Sequence, residues 1–294
     1  MFYMPRIMLY NIGEVHMEEP EESKPNTMAK INAPIKYFGG KGGMFNEIIK
    51  NFPEPTYKIY AEPFSGTYTV GLHMPYIPEI EVFNDLEKNV YTLYKVIRDE
   101  ELFEKFKMKV SLTPYSEDMR YEAKEMLKKQ ELDEIDRAYY FFVQNRFSHN
   151  GIGGFSVNLV TRRKMSKSVS DYLSAIDRLP ELHQRLQHVL VYNRDGLELM
   201  DKFNQDNCFL YCDPPYVWST RGATRYIVDN DSEWHKKFVE KCIASNAKIL
   251  VSGYDCEEYI PLEEHGFNKV SFDVNTIDGT LKPKVKTECL WKNY

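Results

Sequence analysis

From Ile35 onward, short apolar runs alternate with stretches of helical period, and glycine, proline or asparagine marks most of the boundaries. Ile35-Lys36-Tyr37-Phe38-Gly39-Gly40-Lys41-Gly42-Gly43 is a glycine-rich turn that opens a predicted helix at about 44–51. Tyr57 to Glu62 predicts a strand, which ends in Pro63-Phe64-Ser65-Gly66 and passes into a helix through Leu72. Ile80 to Phe83 predicts a second strand, closed by Asn84-Asp85 and followed by a helix at about 87–98. Strand, turn and helix in this rhythm predict a parallel sheet covered by helices.

The rhythm stops near residue 99. Residues 99–148 read as Lys- and Glu-rich helices with apolar positions at Phe103, Phe106, Met126, Ile135, Tyr139 and Phe142. Asn150-Gly151 and Gly153-Gly154 then give turn signals before Phe155-Ser156-Val157-Asn158-Leu159-Val160, which predicts a hairpin running into Arg162-Arg163-Lys164. Strands resume at Val189 to Tyr192 and Cys208 to Cys212, with a helix at about 195–203 between them. Lys248 to Ser252, Lys269 to Val274 and Glu288 to Trp291 complete the set. The expected organisation is an α/β sheet domain (34–99 and 189–294) interrupted by an insertion at 100–188. Residues 1–33 show no period and read as a tail or upstream extension, of which 1–27, before Met28, are expected to be dispensable.

Composition narrows the options. With 294 residues, 43% of them hydrophobic, the chain can bury a full core, and the net charge of −6 leaves nucleic-acid binding to a local basic surface. Such a surface is present: between 145 and 194, Arg146, Arg162, Arg163, Lys164, Lys167, Arg178, Arg185 and Arg194 face only Asp171, Asp177 and Glu181. Cys208, Cys212, Cys242, Cys256 and Cys289 form neither a CxxC pair nor a zinc spacing, so neither metal nor disulfide framework is expected. No apolar run is long enough to span a membrane.

The chemistry concentrates in Leu210-Tyr211-Cys212-Asp213-Pro214-Pro215-Tyr216. An apolar strand delivers an acid, and two prolines, which lack N–H donors, then hold the backbone extended. The segment therefore offers two acceptors, the Asp213 carboxylate and the Pro214 carbonyl, to an exocyclic amino group, which has two hydrogens to donate. Tyr216 follows with an aromatic face for a base. Gly39-Gly40-Lys41-Gly42 is not a phosphate loop of the Walker type, since Gly rather than Ser or Thr follows the lysine.

Taken in order, these segments resemble the Dam-like DNA adenine-N6 methyltransferases. The resemblance covers nearly everything from about Ala33 onward. It runs through Lys36 to Lys41, Ala61-Glu62-Pro63-Phe64-Ser65-Gly66-Thr67, Asn84-Asp85, the insertion, Asp213 to Tyr216, and Ser252-Gly253-Tyr254. It implies a Rossmann-like methyltransferase sheet with helices on both faces and a helical and hairpin target-recognition insertion. It also implies S-adenosylmethionine as methyl donor, no metal, and double-stranded DNA as partner, in the cytoplasm of a bacterial cell or phage-infected host. A cognate restriction endonuclease is left open. Tyr37, Lys41, Glu62, Phe64, Gly66, Asp85 and Asp213 are implied to line the donor pocket, with Asp195 and Gly196 near its adenine. Two of these acids keep a second reading: Glu62 as a strand-end acid capping backbone donors, and Asp195 as the N-cap of the next helix.

On the DNA side, the resemblance points to Lys36, at a position that contacts DNA in the family. Asn150 lies in the predicted hairpin, and Arg162, Arg163 and Lys164 are expected to meet phosphates. In relatives specific for GATC an Asn-Gly turn is soon followed by a guanine-reading arginine, and here Gly154 stands in its place, so another target is expected. Cytosine-N4 methylation and a catalytically silent DNA-binding protein are the competing readings.

Overall fold

The computed structural model of the chain describes residues 31–36, 40–151, 153–216, 232–277 and 283–294. Most of the expected tail, and Tyr37, lie outside the described residues. Ile31, assigned above to the tail, is already buried at 6% exposure and packs with Ile35 in the core.

A single 3₁₀ turn (Lys41–Gly43) leads into α1 (Phe45–Ile49), β1 (Ile59–Glu62), α2 (Thr69–Leu72), β2 (Ile80–Asn84) and α3 (Lys88–Arg98). The inserted segment carries α4 (Glu100–Ser111), α5 (Glu117–Met126), α6 (Glu134–Phe147), the two-residue strands β3 (Thr161–Arg162) and β4 (Met165–Ser166), α7 (Lys167–Asp177) and α8 (Leu179–Leu186). β5 (Val189–Tyr192), α9 (Gly196–Lys202), β6 (Cys208–Cys212), α10 (Ser232–Ile243), β7 (Lys248–Gly253), α11 (Ile260–Glu264), β8 (Asn268–Ile277) and β9 (Pro283–Lys292) follow. Side-chain caps fix where the insert's helices begin. Asp99, Ser116, Asp133 and Ser166 each accept a backbone N–H in the first turn of α4, α5, α6 and α7, typically worth about 1 kcal/mol apiece.

Seven strands form one sheet in the order β5-β2-β1-β6-β7-β9-β8. The pairings from β5 to β7 are parallel, and β9 runs antiparallel between β7 and β8. Successive strands step outward from β1 through β2 to β5, then outward the other way from β6, so the order reverses between β1 and β6. In such sheets the crevice beyond the carboxyl ends at the reversal is where ligands bind.

The period of two along the strands explains why both faces are covered. Tyr60, Phe83, Phe209, Tyr211 and Leu250 face one core, shared with α3 and with Phe106, Phe142 and Tyr172 of the insert. Ile59, Ala61, Val82, Leu210, Cys212, Ile249 and Val251 face the other, closed by α9, α10 and α11. Each fully buried side chain of this size contributes roughly 1.5–3 kcal/mol. The insert thus packs on the sheet domain's own core rather than on a separate one. Among the described residues no helix is long and apolar enough to cross a membrane.

Two expectations change. The hairpin lies later than its alternating sequence suggests: Val157, Leu159 and Val160 are exposed and outside any strand, and the antiparallel pair is Thr161–Arg162 with Met165–Ser166. Phe155 packs against the core, but the exposed Val157, Leu159 and Val160 have no buried face that would hold the run as a strand. Arg185, counted with the basic surface, is instead buried on α8, with Nη2 2.6 Å from Oε2 of Glu81.

Candidate active site

Four loops meet above the carboxyl ends of β5, β2, β1 and β6, and Asn84 ties three of them. Its side chain is fully buried, donating to the Pro63 and Arg194 carbonyls at 2.8 and 3.0 Å and accepting from the Arg194 N–H at 2.9 Å. A buried amide with its donors and acceptor satisfied fixes loop spacing at little cost. The loops enclose a cleft lined by Lys41, Glu62, Phe64, Gly66, Asp85, Asp195, Gly196, Asp213, Pro214 and Pro215. Residues expected to serve the donor and the amino group are therefore brought together. Ser65, Glu87, Tyr211 and Trp234, to which no role was given, line it too.

Each acid is held by its surroundings. Glu62, the last residue of β1, is 2% exposed, and its Oε1 accepts from the Tyr60 hydroxyl and the Gly71 N–H, both at 2.7 Å. Burial pushes its pKa up to about 8 despite these bonds. Asp85, just past β2, accepts from the Gly66 and Glu87 N–H groups, one on each oxygen at 2.8 Å, and burial raises it to about 7. Gly66 makes that contact at φ 51°, a left-handed conformation that favours glycine. Asp195 caps α9 by accepting from the Leu197 N–H at 2.7 Å while also lining the cleft, so its two readings are compatible.

Asp213 follows β6 directly. Its Oδ1 lies 2.8 Å from Lys41 Nζ and accepts from the Ser252 hydroxyl at 3.0 Å. Burial lifts its pKa to about 6; the Lys41 ammonium pulls it down and the Glu288 carboxylate pushes it up. Burial also opposes charge on Lys41, yet Asp213 and Glu288 outweigh it and hold the ammonium well above its ordinary pKa. Tyr216, 9% exposed, turns its hydroxyl to Glu288 at 3.0 Å and sets its ring 4.4 Å from that of Tyr254.

Lys36 and Asn150 line a neighbouring groove with Arg146 and Arg178, and Gly40, Thr67 and Thr69 belong to groove and cleft alike. Asn145 on α6 pins the Lys36 backbone, accepting from its N–H at 2.8 Å and donating to its carbonyl at 2.5 Å. Arg162, Arg163 and Lys164 sit apart on the exposed β3–β4 hairpin, where Arg162 pairs with Asp171 at 3.3 Å and Arg163 with Asp177 at 3.9 Å. Glu288 was missed by sequence reasoning. Its signal was an acid at the start of the apolar run Cys289-Leu290-Trp291.

Comparison with known proteins bears on this arrangement. The type II methyltransferase M.MjaIII of Methanocaldococcus jannaschii is 26% identical over 262 residues, covering 80% of this chain and 88% of its own. A solved Pyrococcus horikoshii structure, described as a candidate RNA methyltransferase, covers 89% of this chain and 87% of its own at 11% identity and a TM-score of 0.39. A family model matches residues 37–270, a span that holds the acidic cleft, the insert and Asp213 to Tyr216. The chain belongs to the D12 class of N6 adenine-specific DNA methyltransferases.

Proposed function

We propose that the chain takes S-adenosylmethionine into this cleft and methylates N6 of an adenine turned out of duplex DNA, with Asp213 and Pro214 holding the amino group. The observation that carries the reading is the placement of Asp213 and the donor-free Pro214-Pro215 segment at the sheet reversal, in one cleft with Asp85 and Asp195.

The residues fit the methyl donor. Each oxygen of Asp85 spends one lone pair on a backbone N–H and keeps another, a match for the vicinal hydroxyls of a ribose. Phe64 and Trp234, with ring centroids 5.6 Å apart, and the side-chain-free Gly196 suit a flat adenine. When bound, S-adenosylmethionine supplies a methyl group on a positively charged sulfur. Asp213 and the Pro214 carbonyl orient the N6 lone pair toward it and accept the amino hydrogens. Asp213 then stands nearest to the proton that N6 loses as the new C–N bond forms and the S–C bond breaks. Because the ring draws on the N6 lone pair, orientation and exclusion of water supply most of the acceleration. Tyr216 borders the place of the flipped base.

The groove beside the cleft suits the DNA strand. Lys36, Arg146 and Arg178 bring positive charge next to the cleft's mouth, while Arg162, Arg163 and Lys164 meet phosphates further along the duplex. A type II relative supports a cognate restriction endonuclease as partner, and work on DNA supports a cytoplasmic setting. Methylating DNA with purified protein and labelled S-adenosylmethionine, then digesting it to nucleosides, tests the whole reading. N6-methyladenine is expected from the wild type and none from Asp213→Ala. N4-methylcytosine, or an active folded Asp213→Ala protein, would overturn it.

A further inference from the structure

β9 brings a buried carboxylate up to the catalytic segment and to Lys41 of the cleft. Glu288 is 1% exposed; its Oε1 lies 3.1 Å from Lys41 Nζ, and its two oxygens accept from the Tyr216 hydroxyl at 3.0 and 3.3 Å. Lys41 in turn reaches Oδ1 of Asp213 at 2.8 Å. One ammonium therefore bridges two carboxylates, and the tyrosine of the catalytic segment shares the second. A buried acid is expensive even when paired, and apolar side chains of similar volume serve stability as well or better. Leu290 and Trp291, further along the same strand, are that kind of residue and are fully buried. An acid kept in such a place, in contact with two groups of the reacting segment, points to function.

We propose that Glu288 is a positioning residue for methyl transfer: it holds the Lys41 ammonium on Oδ1 of Asp213 and fixes Tyr216, leaving Oδ2 and the Pro214 carbonyl to the amino group. The inference rests on the reading of Asp213 as acceptor of that group. Without Glu288 the lysine keeps Asp213 and the Tyr216 hydroxyl, at 2.8 and 2.5 Å, but loses the carboxylate that holds it from β9. The tyrosine hydroxyl loses both of its contacts with that carboxylate, and the segment from Asp213 to Tyr216 is held less closely. Charge matters as well as shape. The groups facing Asp213 are Lys41 from the 3₁₀ turn, Glu288 from β9, Glu62 from β1, Ser252 from β7, Tyr259 just before α11, and Tyr211 and Cys212 on the strand that leads to it. Of these, Glu288 is the acid that shares Lys41 with Asp213.

Full-length Glu288→Ala, Glu288→Gln and Asp213→Ala proteins, compared with wild type, test this by melting temperature, kcat, KM for S-adenosylmethionine and the pH profile of kcat. Loss of orientation on the ångström scale costs on the order of 10²-fold, so Glu288→Ala should lose about that in kcat with KM nearly unchanged. Glu288→Gln keeps an acceptor for Tyr216 and Lys41 and should recover most of kcat. Its acidic limb should move to lower pH, because the negative charge that pushes Asp213 up is gone. That limb shift is read from Glu288→Gln even if the alanine protein fails to fold. Wild-type kcat in a folded Glu288→Ala protein, or an unmoved limb in Glu288→Gln, overturns the proposal. Activity in Asp213→Ala removes the reading beneath it instead, so the two failures are distinct.

Discussion

Replacing Gly196 with alanine should push Phe64 into the donor's place. Gly196 begins α9, and a Cβ built on it would stand 2.0 Å from Cε1 of Phe64, 2.5 Å from Cζ and 2.7 Å from Cδ1. Carbon atoms in contact settle at about 3.5–4.0 Å, so ring and helix must separate by roughly 1.5 Å. Retreat into the core is blocked. The Phe64 ring already stands edge-on to Trp234 at 5.6 Å and to Phe238 at 5.9 Å, and Phe238 is fully buried. The remaining direction is the cleft. Overpacking of this kind costs about 1–3 kcal/mol, and the roughly 1 kcal/mol by which alanine exceeds glycine in a helix offsets part of it. The expected result is a folded protein whose affinity for S-adenosylmethionine falls at least tenfold, about 1.4 kcal/mol, with kcat at saturating donor little changed. Isothermal titration of the donor reads this directly. Adding Phe64→Leu should return part of the loss, giving a coupling energy that single variants lack. A folded Gly196→Ala protein that binds the donor as wild type does would refute the assignment of this wall.

Asp213→Ala should cut methyl transfer by several orders of magnitude with the fold retained; with Asp213 at about 6, wild-type kcat should decline below that pH as the carboxyl protonates, and a flat profile from pH 8 to 5 would contradict this. Glu62 has a folded pKa of about 8, above the usual carboxyl value near 4.5, so its contribution to stability is full below that lower value and is lost as pH rises through 8. Glu62→Gln should therefore gain on wild type in thermal stability across that window, by an amount on the order of a few kcal/mol, and parallel melting curves would show the acid is not strained by burial. Neutralising Arg162, Arg163 and Lys164 should weaken binding to every DNA sequence and reduce the slope of log K against log salt by about 2–3; a loss confined to one sequence would make them base readers. A Cβ at Gly154 meets nothing within 4 Å, so Gly154→Arg can be accommodated. Mapping modified adenines should find wild type not confined to GATC and the arginine variant shifted toward guanine at one position, whereas wild-type modification at GATC alone would refute the reasoning.

The parallel half of the sheet was legible because its strands are apolar runs, buried throughout in β6 and only partly in the edge strand β5. Runs such as Val189 to Tyr192 and Cys208 to Cys212 are apolar from end to end, and their boundaries in the structure are those of the sequence. The insert's hairpin was harder to read. Asn150-Gly151 carries the usual turn chemistry and does take positive φ, 52° and 84°, yet there it shapes a 3₁₀ turn behind α6. The hairpin itself turns on Arg163 and Lys164, whose φ values of 54° and 60° belong to a conformation most side chains avoid. Propensity pointed away from those two residues. Strain of this kind is retained where the tip has a task, which is consistent with the phosphate contacts assigned to it.

The candidate site shows the same limit in a different form. Asp85 and Asp213 follow one rule, that an acid at the end of an apolar run lies on the carboxyl edge of a parallel sheet, and Glu62, implied by the family resemblance, obeys it too. That rule assumes a direction. β9 runs antiparallel to β7, with Gly253 opposite Cys289, so the start of its apolar run lies on the edge where the parallel strands end. Glu288, one residue before Cys289, therefore meets Lys41 and Tyr216 as directly as Asp213 meets Lys41. The sequence contains the acid and the run, but strand direction comes from the pairing of β9 with β7 and β8, which no local period reports. Once that pairing is known, the rule applies in reverse. It then places a further carboxylate beside the catalytic segment, against Lys41 and Tyr216.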